Sequence, residues 1–210
     1  MNGYDSFSFL KSHGYENPEE SELFTYSNYL DVIGITINPN SPWVIGGSVL
    51  RTIHNEPLNT DIDLFFKNDS IYKDSLKRMK DNAKFISKTK FSDSFECIFE
   101  HNNEDKTRKI QLISCSMGET IKDITSKFDI DVCRIAFDGN SIIASEEVMD
   151  GILHKKMKID VDVVTHPALT LKRVVKYAGR GFEVSDENLQ AFADKFIIKT
   201  ELEIESDEKY

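Results

Sequence analysis

Two aspartates one residue apart, Asp61 and Asp63, follow a Gly46-Gly47-Ser48 turn in this 210-residue chain. Alternate residues of a strand project to the same face, so on a strand the two carboxylates stand about 6–7 Å apart. Carboxylates so placed either repel or share a cation. Magnesium or manganese accepts such hard oxygen ligands and keeps positions open for phosphate oxygens. A pair of metals there would activate an attacking hydroxyl and stabilise a leaving pyrophosphate. The glycines leave the backbone open to close approach, amides at a helix start suit a triphosphate, and Ser48 adds a hydroxyl donor. Alone, an Asp-x-Asp is commonly a solvated strand face and a Gly-Gly-Ser a plain turn. Their joint order is what points to a metal–nucleotide site.

The elements that must carry these residues are legible nearby. Trp43-Val44-Ile45 is a short apolar run stopped by Gly46-Gly47, which reads as a buried strand entering a tight turn. Residues 48–54 suit a short helix, broken by Asn55-Glu56-Pro57, and Asp61 to Phe66 reads as the next strand. Ahead of them, Asn17-Pro18-Glu19-Glu20 predicts a capped helix through about Leu30. Beyond, the pattern predicts helices over 70–83 and 119–127, and strands over 84–91, 94–101 and 108–114. A strand from Asp131 to Phe137 and another over 141–144 form a hairpin around Asp138-Gly139-Asn140. Asp160-Val161-Asp162 reads as a surface strand. Helices over 166–180 and 186–197 follow, the second capped by Ser185, with Asn188 at its third position. The fold class is therefore α/β (α+β), a mixed sheet of roughly five strands with helices against it. A head domain over 1–150 precedes a helical region over 151–210 that ends in an acidic, frayed tail.

The string VIGGSVLRTIHNEPLNTDIDLFF, residues 44–66, resembles the signature of the DNA polymerase β-like nucleotidyltransferases. In that superfamily a Gly-Gly or Gly-Ser turn precedes Asp-x-Asp on a strand. The resemblance implies Gly47 and Ser48 near the triphosphate and Asp61 and Asp63 on magnesium; Gly46 and Arg51 are further nucleotide-binding candidates. Many members add a third carboxylate from a neighbouring strand. Its counterpart here, RKIQLIS over 108–114, carries Gln111 instead, and an amide is neither a general base nor a good metal ligand. Asp129 or Asp131, in FDIDVC, is the alternative source, and Asp131 is taken as the third catalytic candidate. The stretch TLKRVVKYAGRGF, residues 170–182, is similar to the helix that follows the catalytic head in tRNA nucleotidyltransferases and poly(A) polymerases. At about 100° per residue, Lys172, Lys176, Arg180 and Arg173 share one arc, with Leu171, Val174, Val175 and Ala178 opposite. The apolar side is expected to pack inward and the cationic stripe to meet triphosphate or RNA.

Bulk properties bound the partners. A net charge of -10 argues against broad nucleic-acid binding, although a local basic patch is compatible with it. Cys97, Cys115 and Cys133 have no metal-ligand spacing and read as buried free thiols of a reducing compartment. No signal peptide and no membrane span is recognisable, so a soluble, cytoplasmic protein is expected. The activity expected is metal-dependent transfer of a nucleoside monophosphate from a triphosphate such as ATP. The acceptor hydroxyl lies on a tRNA-like RNA 3′ end, a small molecule or a protein. The arginine of GGSVLR departs from the tRNA enzymes, where it stands one residue earlier and is followed by aspartate, which points away from tRNA end-addition as such. The competing reading is an inactive nucleotide-binding or protein-interaction module on the same fold, supported by Gln111. A phage-borne factor acting on host RNA or protein is a third.

Overall fold

Strand β1 (Asn2–Asp5) runs straight into helix α1 (Ser6–Ser12), because the Asp5 carboxylate accepts hydrogen bonds from the amides of Phe7 and Ser8 at 2.9 and 3.2 Å. Neither element was expected from pattern. The computed structural model describes residues 1–207, with side chains described as far as Phe196 except those of Asn2 and Glu20. The end of the acidic tail, residues 208–210, lies outside the described residues. Two compact units divide the chain: Met1–Ser126 with Cys133–Glu146, and Lys127–Val132 with the chain from Glu147 onward.

In the first unit the helix expected from Asn17 starts later. Pro18–Glu20 make one 3-10 turn without a side-chain cap from Asn17, and Ser21 caps α2 (Glu22–Val32) through the Phe24 amide at 3.4 Å. Next come β2 (Trp43–Ile45), α3 (Gly47–Ile53), β3 (Ile62–Phe66), α4 (Asp69–Asn82) and β4 (Lys84–Lys88). Then follow β5 (Ser92–His101), β6 (Glu104–Met117), α5 (Ile121–Thr125), β7 (Ala136–Phe137) and β8 (Ser141–Ala144). The strands join one mixed sheet in the order β1-β8-β7-β2-β3-β6-β5-β4, eight strands rather than about five. The strand without a counterpart in the pattern is β1; the other seven fall on segments read as strands. In place of the strand expected over 131–137, residues Asp131–Cys133 form a 3-10 turn and only two residues pair.

The β7–β8 turn matches expectation in its chemistry. Asp138 Oδ1 accepts from the amides of Asn140 and Ser141 at 2.9 and 2.7 Å, and Gly139 lies at φ +91°. The core face of the sheet buries Val44, Ile62, Leu64, Phe95, Ile110 and Leu112. Helix α4 sets Tyr72 edge-on against Phe66 at 5.3 Å, and α2 sets Tyr26 edge-on against Phe99 at 5.5 Å.

The second unit holds α6 (Glu146–Leu153) from Glu147 on, α7 (Pro167–Ala178) and α8 (Asp186–Asp207). Ser185 receives the Asn188 amide at 3.2 Å, as a cap should. The Asn188 side chain instead serves Ile159, accepting from its amide at 2.7 Å and donating to its carbonyl at 3.0 Å. Residues 161–163 form a turn, so the surface strand expected at Asp160-Val161-Asp162 is absent. The apolar arc of α7 is not buried. Leu171 and Val175 are 45% and 71% exposed, whereas Thr170 and Tyr177 are buried. No described helix is long and apolar enough to cross a membrane.

Candidate functional site

Strands β2 and β3 are antiparallel neighbours, with Trp43 across from Phe65 and Val44 across from Leu64. That register carries Ile45 opposite Asp63 and brings the glycine turn to the end of the sheet where β3 begins. The juxtaposition inferred from spacing therefore holds for the turn and the aspartates. Asp61 lies just ahead of β3 and Asp63 within it, both partly exposed. Gly46 adopts φ 93°, ψ -132°, a conformation closed to side-chain-bearing residues, and its amide donates to Ile135 O at 2.8 Å. The Gly46 amide is thus committed within the sheet. Ser48 is buried, and its hydroxyl has no hydrogen-bond partner among the described residues. An unsatisfied buried hydroxyl costs about 1–3 kcal/mol.

On the other side β3 runs parallel to β6, with Asp63 across from Gln111. Gln111 therefore occupies the place expected of a third carboxylate. Its role is different: its side-chain amide donates to Asp61 Oδ2, and Lys109 Nζ binds the same oxygen at 2.8 Å. Lys109 is the residue that sequence reasoning missed. It stands two positions before Gln111 on β6, on the same face, and that alternation was the available signal. Ser92 Oγ reaches Gln111 Oε1 at 3.5 Å and steadies the amide.

Arg51 does not reach toward the turn. Its Nη1 bonds Glu56 at 3.0 Å and the Pro57 carbonyl at 3.4 Å, bracing the loop that delivers Asp61. Glu22 holds that loop from α2 by accepting the Leu58 amide, and pairs with Arg108 of β6 at 2.8 Å.

The remaining candidates lie in the second unit. Asp131 Oδ1 accepts from the amides of Val132 and Lys158 at 2.7 and 2.8 Å. Asp129 is buried and accepts from Thr170 and Arg173, so Arg173 leaves the expected cationic stripe for an internal ion pair. Lys172 and Lys176 are exposed on α7. Lys176 and Arg180 lie 5.7 and 5.5 Å from the Tyr177 ring centroid. All three cysteines are free, but Cys115 is exposed, contrary to expectation. Burial pushes the Cys97 thiol up to about 11.

A family model described as "Gad2: Gabija anti-defense 2 family protein" matches residues 18–167. The chain belongs to the Gad2 family. No curated protein matches it in sequence. Among solved structures it is similar to a tRNA nucleotidyltransferase crystallised with a primer tRNA and an incoming ATP analogue. The TM-score is 0.50 at 12% identity, over 75% of this chain and 47% of that one. The chain thus spans about half the length of that enzyme, and the likeness shows a nucleotidyltransferase-like fold.

Two carboxylates, one of them already bound by an ammonium and an amide, form no all-protein metal cage. Among the described residues no group of three or more His, Cys, Asp or Glu could hold a metal ion. Asp61 and Asp63 could hold magnesium together with substrate phosphates, since that ion is commonly held by one or two carboxylates plus phosphate oxygens.

Proposed function

We propose that this chain transfers a nucleoside monophosphate from a nucleoside triphosphate to a hydroxyl acceptor and releases pyrophosphate. The observation that carries this reading is the buried Ser48 hydroxyl, without a partner among the described residues, on a glycine turn at the same sheet end as Asp61 and Asp63. The nucleotidyltransferase-like fold supports it. Gly47 and Ser48 would cradle the triphosphate. Asp61 and Asp63 would hold magnesium or manganese, which when bound neutralises phosphate charge. The acceptor oxygen bonds to the α-phosphorus in line as the bond from that phosphorus to the bridging oxygen breaks, and the hydroxyl proton passes to water. Gln111 cannot accept that proton. In keeping with the family's name, the transfer would act against Gabija defence, with RNA or a protein as acceptor.

Incubation with each α-labelled triphosphate, magnesium, and cellular RNA or lysate tests the reading. Label should enter one fraction, and Asp63→Asn should abolish it; wild-type transfer by that variant would overturn the assignment. The grip of Lys109 and Gln111 on Asp61 favours a second reading, a nucleotide-binding module that does not turn over. Calorimetry separates the two, since binding without pyrophosphate release supports the module.

A further inference from the structure

The chain is acidic, yet residues 77–91 carry Lys77, Arg78, Lys80, Lys84, Lys88 and Lys90 against a single acid, Asp81. These residues run from the last turn of α4 through β4 into the turn before β5. All six cations are exposed, although Arg78, Lys84 and Lys88 stand 3.0, 2.7 and 3.8 Å from the carboxylates of Asp74, Glu96 and Asp93, which a phosphate would have to displace. So is every residue of β4, the outermost strand of the sheet. Large apolar groups lie open among the charges: Phe85, Ile86 and Phe91 are 49%, 44% and 51% exposed. Phe85 rests edge-on against buried Phe95 at 5.5 Å, leaving the rest of its ring outside. Phe91 sits on a stiff turn. Thr89 Oγ1 accepts from the amides of Phe91 and Ser92 at 3.0 Å each, and the Phe91 carbonyl accepts from Ser114 at 2.8 Å. Lys90 Nζ lies 4.8 Å from the Phe91 ring centroid.

From this surface we infer that β4 and its flanking turns bind single-stranded nucleic acid, with Phe85 and Phe91 as stacking platforms and Lys84, Lys88 and Lys90 on phosphates. Fixed aromatic rings among lysines are the pairing that single strands use, because every base offers a π-face and every linkage a charge. A peptide adding itself to the sheet edge fits worse. The β4–β5 register is broken between Phe85 and Ser87, and lysines along an edge discourage strand addition. Cross-strand pairing carries a direct line inward: Ser87 faces Ser94, Ser94 faces Gln111, and Gln111 faces Asp63. Three strand spacings set Ser87 of β4 about 14 Å from Asp63, and a strand bound there somewhat farther. This deepens the proposed transfer by naming the acceptor class, and it rests on that reading only for the acceptor role.

Fluorescence anisotropy with a labelled single-stranded RNA, without triphosphate or divalent metal, tests binding independently of transfer. The full chain should bind saturably at 50 mM salt and weaken steeply toward 200 mM. Replacing Lys84, Lys88 and Lys90 together by alanine should flatten the log–log salt slope by about 2, near 0.7 per phosphate lost. Phe91→Ala should cost about 5- to 100-fold in affinity and leave the slope unchanged. These positions are exposed, and circular dichroism checks that the variants stay folded. Absence of saturable binding, binding indifferent to both variants, tighter binding of duplex RNA, or equal competition by polyglutamate would each overturn the proposal. Loss of transfer in the labelling assay alongside intact RNA binding would remove the enzyme reading and leave this surface standing.

Discussion

Removing the Lys109 ammonium should tighten divalent-metal binding. In Lys109→Met the aliphatic stem survives and the charge 2.8 Å from Asp61 Oδ2 is lost. Two unit charges at that separation attract by about 1.5 kcal/mol in bulk water and more near a protein surface. The pair is partly open to solvent, with Lys109 and Asp61 side chains 38% and 41% exposed, so most of that attraction is offset by hydration. Exposed pairs are worth about 0.2–1 kcal/mol, and the upper half of that range suits a pair also supported by Gln111. A cation arriving at Asp61 must displace or tolerate the ammonium, so the variant should bind Mn2+ about 2- to 5-fold more tightly. Manganese titration followed by electron paramagnetic resonance measures the change directly. The gain should shrink as salt is raised but persist at 0.1 M, because the charges lie well inside a Debye length of about 10 Å. Unchanged or weaker Mn2+ binding would refute the claim that Lys109 holds the cation's place.

Other consequences can be checked on the folded chain. Ser48→Ala removes a buried hydroxyl that lacks a partner, so it should leave stability to urea unchanged or raised by up to about 1 kcal/mol while weakening triphosphate binding by calorimetry. Gly139→Ala should lower stability by about 2 kcal/mol or more, read as a fall in Tm, because φ is +91° and a Cβ there would lie 2.2 Å from the Ile37 carbonyl oxygen. The Cys97 thiol has a folded pKa raised from 9.0 to about 11, so its contribution is complete below the unfolded value and lost as pH rises through the folded one. Urea midpoints should therefore fall less steeply over that alkaline window in Cys97→Ala than in the parent protein.

Sequence by itself determined the parts whose signal is local. Trp43-Val44-Ile45 ahead of Gly46-Gly47 could be little but a buried strand running into a turn, and Asp138-Gly139 supplied both the acceptor and the positive φ of its hairpin. The α/β class and the alternation of Asp61 with Asp63 came from the same short-range periodicities. Tertiary structure decided everything that depends on strand order. Only the parallel pairing of β3 with β6 sets Gln111 across from Asp63, and only that pairing brings Lys109 onto Asp61, since the partners are far apart in sequence. Period could divide α7 into a charged and an apolar arc but could not say which would be buried. The buried Asp129 drew Thr170 and Arg173 inward and left Leu171 and Val175 outside. A hydrophobic stripe is satisfied only where another surface exists to cover it, and a buried carboxylate demands donors wherever it lies. The exposure of β4 has the same origin. KFISK reads as an ordinary strand, and its place at the rim of the sheet follows from pairings that no residue within it specifies.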